Sequence, residues 1–230
     1  MVMRRIIIVL LALLAMITSG CTSDDAPEEQ LPDATALLRE AAEAASKITS
    51  THFTLTVNGE VPGLAVRSVE GDLTAEGAAK GTASLSMGGQ LIEGEFVLVD
   101  DAFYLKGATG GFQRLPAAMI TSIYDPSSVL DPERGIANLL RTVGNAQTEA
   151  VADVAGTPTY KVTGTVAKDV IAGLVPGITS DVNVTLWLAK EGQHLPVKAS
   201  AALPAEGGQS ASVDVTLSDV DKPVTVTTPR

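Results

Sequence analysis

The chain returns again and again to a two-residue period. Phe53, Leu55 and Val57 alternate with His52, Thr54 and Thr56, and Asn58-Gly59 follows as a turn. Successive strand side chains point to opposite faces, so such a run predicts a strand with one apolar and one polar face. The pattern recurs in Val66 to Leu73, Ala83-Leu85-Met87, Ile92-Gly94-Phe96-Leu98 and Phe103-Leu105. It resumes in Tyr160-Val162-Gly164-Val166, Val182-Val184-Leu186-Leu188, Val197-Ala199-Ala201-Leu203 and Val213-Val215-Leu217, and Val224 to Pro229 reads as a last edge strand. Gly88-Gly89, Asp100-Asp101, Gly110-Gly111 and Gly207-Gly208 punctuate the runs as turns. So many one-sided strands joined by short turns constrain the chain to an antiparallel sheet that is wet on one face and needs cover on the other.

The cover must come from the few helical patterns. Pro32-Asp33 opens one over Ala34 to Ile48, with Leu37, Ala41, Ala44 and Ile48 in a stripe and Leu38 and Ala45 beside it. Pro116 to Tyr124, Pro132 to Val143 and a short piece from Ala167 to Leu174, ended by Pro176-Gly177, are the other candidates. In SIYDPSSVLDPERGIANLL (122–140) two Asp-Pro pairs stand six residues apart. Asp accepts hydrogen bonds from the first free amides of a helix, and Pro loses nothing at the first helical position. Asp131-Pro132 therefore starts a helix carrying Ile136, Leu139, Leu140 and Val143, whereas Asp125-Pro126 either starts a single turn, SSVL, or closes the preceding helix. The expected architecture is α+β, a large curved antiparallel sheet with helices on one face.

The first residues are of another kind. Arg4 and Arg5 precede an apolar stretch, Ile6 to Ile17, that is shorter than the ~20 residues a bilayer crossing needs. Ser19 and Gly20 then precede Cys21. This reads as a secretory signal over residues 1–20, and Thr18-Ser19-Gly20-Cys21 resembles a bacterial lipobox, with Thr18 where an aliphatic residue is usual. Cys21 is then the lipid acceptor, and two or more acyl chains suffice for stable membrane attachment. It is the one Cys of the chain, which leaves no disulfide framework or Cys metal cluster. Residues 21–32, with their acidic TSDDAPEEQLP, read as a disordered tether, and 33–230 as a single domain.

Removing residues 1–20 takes away two of the 16 basic residues and none of the 27 acids, so the net charge moves from −11 to −13. Such a surface repels nucleic acid and anionic headgroups, which speaks against a nucleic-acid groove. Aromatics are only 3% of the chain. A core with so few rings is either packed from small residues or partly hollow.

Little here is equipped for catalysis. His52 falls on the polar face of its strand and His194 in the turn Glu191-Gly192-Gln193-His194, and they are the only two histidines. Glu93 and Glu95 flank Gly94 on the face that alternation makes the wet one. Asn183-Val184-Thr185 fits a glycosylation sequon but lies inside a strand. No G-x-S-x-G elbow, H-E-x-x-H, P-loop, EF-hand loop or G-x-G-x-x-G occurs. The chain is expected not to be an enzyme, and no catalytic, metal or cofactor site is assigned.

LTVNGEVPGL (55–64), GDLT (71–74), IYDPSSVLDPERGIANLL (123–140) and VTLS (215–218) follow in order after the lipobox and an LPDA helix start. Over residues 31–229 the chain resembles the mycobacterial and actinobacterial LppX/LprA/LprF/LprG lipoproteins, its LprG-like members above all, and the Asp-Pro segment is the most specific part of the likeness. That resemblance implies a half-barrel of antiparallel strands with helices on its concave side, enclosing an apolar cavity for acyl chains. It also implies carriage of lipid from the inner membrane, on whose outer face the protein would be anchored, toward the outer envelope. The cargo implied is a triacylated glycolipid, a lipoglycan or triacylglycerol, with an export transporter as a further partner.

The apolar strand face supplies Phe53, Leu55, Ala83, Leu85, Met87, Ile92, Phe96 and Leu98 as cavity-lining candidates, and the helices supply Leu37, Ile136, Leu139 and Leu140. Ordinary core packing selects the same residues. The alternative is therefore a tethered envelope scaffold with a filled core and no lipid cargo.

Overall fold

The computed structural model describes residues 30–61, 64–118, 126–175, 178–203 and 210–230. Residues Leu31–Arg230 form one compact unit. Its strands are β1 (Ser50–Asn58), β2 (Val66–Thr74), β3 (Ala79–Met87), β4 (Gln90–Val99), β5 (Ala102–Gly107), β6 (Gln113–Pro116), β7 (Gly144–Val154), β8 (Thr157–Val166), β9 (Val182–Ala189), β10 (Pro196–Leu203) and β11 (Ala211–Ser218). The described helices are α1 (Ala34–Ala45), α2 (Ser127–Leu130), α3 (Ile136–Thr142) and α4 (Lys168–Ile171).

All eleven strands make one antiparallel sheet in the order β6-β5-β4-β3-β2-β1-β11-β10-β9-β8-β7. The chain runs as one meander from the centre to the β6 edge, leaves the sheet, and re-enters at the β7 edge. A second meander then returns to the centre, where β11 pairs with β1. The segment between the two edges has to cross from one side of the sheet to the other, and it is the segment that holds the Asp-Pro pairs. Leu130, Ala137, Leu139 and Leu140 from this crossover are buried in the same core as Val162, Leu186 and Leu73 from the strands. The crossover thus covers the apolar face that the alternation demands.

Two glycines let β2 and β3 approach closely. Gly71 of β2 faces Gly81 of β3 in register. A Cβ on Gly81 would lie 2.8 Å from the Gly71 Cα and overlap the Glu70 carbonyl, and one on Gly71 would overlap the Lys80 carbonyl. Real side chains cannot sit so close, so the two strands approach in this way only because both positions lack a side chain.

Several boundaries differ from expectation. α1 starts where predicted, with Asp33 accepting a hydrogen bond from the Ala36 amide (2.8 Å), but it ends at Ala45 rather than Ile48. Past Ser46 the chain tightens, with the Lys47 and Ile48 amides donating to the Ala44 and Ala45 carbonyls (3.0 and 3.3 Å), and Ile48 is buried on the way into β1. The helix expected from Pro132 begins at Ile136. Asp131 does cap, accepting from the amides of Glu133 (2.8 Å) and Arg134 (3.0 Å), yet what it caps is one turn. The path breaks at Gly135, whose φ of −92° and ψ of −149° are not helical. There the backbone passes so near α2 that a Cβ would overlap the Val129 carbonyl.

Ser127–Leu130 forms the single turn, while Asp125 lies outside the described residues. Pro116 ends strand β6 and Ala117 and Ala118 directly after it are helical, as expected of the Pro116 to Tyr124 helix, whose residues 119–125 are outside the described residues. α4 occupies the middle of the predicted Ala167 to Leu174 piece; Pro176-Gly177 likewise falls outside. Val224 to Pro229 is no strand, because the sheet edges are β6 and β7 and the tail leaves after a turn at Asp219 to Asp221. Asp221 ties this turn down by accepting from the Thr49 amide and hydroxyl (2.8 and 2.9 Å). Strands β6 and β7 were not expected.

Candidate functional site

The two halves of the apolar face are covered unequally. On the second meander most inward side chains are sealed, with Val162 and Leu188 0% exposed and Leu186 1%, while Ala199 and Val215, next to β1, and Tyr160 are half-buried. On the first meander cover runs out along β3 and β4, while Val57 at the same end of β1 stays buried. At the end bearing the β2–β3 and β4–β5 turns, the row Thr51–Leu73–Ala79–Leu98 is buried. The next row reads Phe53–Gly71–Gly81–Phe96–Leu105, in which both phenylalanines are half-buried and Leu105 is exposed. Beyond it, Leu55, Val69, Ala83 and Gly94 are all half-buried, and past these Leu85 is half-buried while Ile92 is 45% exposed.

This is an apolar trough, closed at one end and open at the other. The paired glycines make its floor between the two phenylalanines. Phe96 and Phe103 stack along one wall, with ring centroids 6.4 Å apart and planes 17° from parallel. Small residues at Ala83 and Gly94 keep the adjoining row shallow. At the closed end the β2–β3 turn touches the crossover, where a Cβ on Gly77 would lie 2.7 Å from the Ser127 Cβ.

Among the expected lining residues, Phe53, Leu55, Ala83, Leu85 and Phe96 are half-buried along the trough, and Ile92 stands at its open end. Leu37, Leu98, Leu139 and Leu140 are buried in the helix–sheet packing at 3, 8, 8 and 1% exposure, with Ile136 half-buried against them. The Met87 side chain lies outside what is described, as does Cys21. Phe103 and Leu105 also face the trough, and neither was among the expected lining residues. The signal was present: the two-residue turn Asp100-Asp101 sets Leu98 opposite Phe103 and Phe96 opposite Leu105.

Polar groups stay on the other face or at the rim. His52 Nδ1 lies 2.9 Å from Asp72 Oδ1 and its Nε2 3.5 Å from Glu70, so this histidine joins a surface ion-pair group with Lys80. His194, in a turn with φ +56°, has Nδ1 2.8 Å from the Ala189 carbonyl oxygen and Nε2 3.6 Å from Glu40 of α1. Glu95 pairs with Lys106 at 2.8 Å. Asp131 is held below the usual carboxylate range, chiefly by the hydrogen bond from the Arg134 side chain and then by the Glu133 amide. Among the described residues there is no cluster of three His, Cys, Asp or Glu side chains suited to a metal, and no helix is long and apolar enough to cross a membrane.

The family model described as LppX_LprAFG lipoprotein matches residues 33–226. The chain belongs to the LppX/LprAFG lipoprotein family. A relative from Mycobacterium tuberculosis, called lipoarabinomannan carrier protein LprG, is 34% identical over 98% of this chain and 95% of its own length. The protein of the same name from Mycobacterium leprae is 31% identical over 99% of this chain and 96% of its own. Among solved structures, LprF from Mycobacterium bovis is 27% identical, covering 86% of this chain and 98% of that one, with a TM-score of 0.75. LppX from Mycobacterium tuberculosis is 26% identical over 84% of this chain and 98% of that one, with a TM-score of 0.64. The open, curved antiparallel sheet is thus the LppX/LprAFG fold.

Proposed function

We propose that this protein is a lipid carrier of the cell envelope that holds acyl chains in the trough of its first meander and leaves the polar headgroup at the open end. The observation that carries this reading is the gradient of cover on one continuous apolar face, from fully buried Leu188 to half-open Phe53, Phe96 and Leu85. Apolar surface left open is unfavourable unless something apolar occupies it, at ~25 cal/mol per Å². The carrier names of the LprG relatives agree with such an occupant.

Recognition of this kind is chemically blunt. Each buried methylene contributes ~0.8 kcal/mol, so chain length and number set affinity, while the headgroup, exposed at the rim, sets little. A lipoglycan, a triacylated glycolipid and triacylglycerol share the acyl chains that the trough would take. No bond is made or broken: the protein lowers the cost of moving an acyl chain through water by replacing water with Phe, Leu and Gly surface. A lipid on Cys21 would keep the carrier on the outer face of the inner membrane, and an export transporter is the partner that would hand over cargo.

The test is native mass spectrometry with lipid extraction on the Leu31–Arg230 unit made in an actinobacterial host. A discrete added mass that resolves into acylated lipid supports carriage and gives the cargo class. A clean unliganded mass, together with failure to take up a triacylated lipid in vitro, would favour the filled scaffold instead.

A further inference from the structure

The β3–β4 hairpin outruns its neighbours. The last β2 partner on its flank is Val66, opposite Leu85, and the β5 ladder stops at Gly107, opposite Gly94. Beyond these pairs the hairpin bonds mainly to itself, with Ser86 opposite Leu91 and Met87 opposite Gln90, apart from one bond from the Ser86 amide to the Ala65 carbonyl (2.7 Å). Its turn is Gly88-Gly89, both with positive φ and with nothing within 4 Å of where a Cβ would be.

Each face of this overhang presents one exposed apolar side chain. Leu91, which alternates onto the outer face, is 62% exposed, and Ile92, on the trough face, is 45% exposed. No other large apolar side chain among the described residues is so exposed as these two. The segment Ser86 to Ile92 carries no charge, and neither does Gly107 to Gln113, the loop beside it at the same open end. In a chain of net charge −11 with 19% charged residues, two adjoining uncharged loops at the mouth of an apolar trough form a distinct surface. The first charges met behind them are Glu93, Arg67 in the β2 bulge beside Leu85, Arg114 just past Gln113, and the Glu95–Lys106 pair.

We infer that the β3–β4 tip, Ser86 to Ile92, is a membrane-docking element that dips Leu91 and Ile92 into the outer region of a lipid bilayer and sets the mouth of the trough against it. This rests on the carrier reading. The chemistry selects a bilayer rather than a protein groove: a narrow, two-sided, uncharged wedge has no flat face to bury against a partner, but both of its faces gain from apolar surroundings. The lack of basic residues at the tip makes the contact one of insertion rather than of attraction to anionic headgroups. A chain leaving the bilayer would pass Ile92 and Leu85 onto the trough floor without crossing water.

The experiment is flotation of the Leu31–Arg230 unit with neutral phosphatidylcholine vesicles, in low and high salt. That unit holds all eleven strands and the core. Binding should be little changed by salt, and Leu91→Asn with Ile92→Asn should lower the partition coefficient about tenfold or more. Val151→Asn, at a residue 41% exposed on the β7 edge, should leave it unchanged. Unchanged thermal unfolding of the double variant ensures that a loss is not a folding defect. No vesicle binding by the wild type, equal binding by the double variant, or self-association through the tip in place of vesicle binding would overturn the inference. Uptake of a fluorescent acyl lipid delivered from detergent is measured alongside. Uptake without docking rejects the tip alone; docking without uptake rejects the carrier reading and leaves the tip standing.

Discussion

Gly71 and Gly81 face each other across the β2–β3 ladder, their positions separated so narrowly that a Cβ on Gly81 would come within 2.8 Å of the Gly71 Cα. The atoms a side chain would strike are backbone, which cannot rotate away. Gly71→Ala or Gly81→Ala should each destabilise by about 1–3 kcal/mol or more, the range for overpacking a tight site. Urea unfolding of the two single variants checks this. The neighbouring Gly88→Ala, in open space at the hairpin tip, should cost less, through its positive φ alone.

Filling the trough should separate carriage from folding. Ala83→Phe adds a ring between Val69 and Gly94 on the half-covered face. The expected outcome is a loss of most acyl-lipid uptake with a melting temperature changed little, since the ring enters space that protein does not occupy. A large drop in melting temperature would place Ala83 in a filled core.

Leu186 and Leu85 face the same side of one sheet and should behave differently. Leu186 is 1% exposed, so Leu186→Ala should cost about 2–5 kcal/mol, as buried leucine truncations do. Leu85 is half-buried, and Leu85→Ala should cost well under that. Thermal unfolding without lipid tests the contrast, and added lipid should raise the melting temperature of wild type more than that of Leu85→Ala.

The turn before α3 gives a pH prediction. Asp131 has its folded pKa lowered, first by the Arg134 side chain, so its contribution is present above the unfolded Asp value and is lost as pH falls through the folded one. An NMR titration should find the Asp131 midpoint below the ordinary Asp value. Arg134→Gln should move that midpoint upward, toward the ordinary value; no movement would mean that the backbone amides alone hold the carboxylate.

Cys21→Ala in the full chain should move the protein from the membrane fraction to the soluble or secreted fraction after cleavage of the signal. Retention in the membrane would mean that another element anchors it.

Much of the fold was legible because strand patterning is local. The faces of β1, β4, β9 and β11 could be read from Phe53, Phe96, Leu186 and Val215 by alternation alone, and Asp33 announced the start of α1. β7 escaped because four of its five half-buried positions are Ala146, Thr148, Ala150 and Ala152, whose weak apolar contrast hides the period before Val154, and two register shifts interrupt it. β6 is four residues long, too short to show a period. The break at Gly135 was hidden as well, because it follows from the nearness of Val129 in space rather than from anything in the local pattern.

By itself, then, the amino-acid sequence determined which residues share the apolar face, that this face needs cover, and the likeness to the LppX/LprAFG lipoproteins. Only the tertiary structure decided where the cover is complete. Phe53 and Leu186 look alike in sequence, apolar residues at the same phase of a two-residue period. Yet Leu186 is sealed in the packed half of the sheet and Phe53 stays half-open beside Gly71 and Gly81. The physical reason is that a side chain's orientation depends on its own strand, whereas its burial depends on which distant segment crosses above it. Here that segment is the crossover from the β6 edge to the β7 edge, and its reach is fixed by the sheet's strand order and curvature.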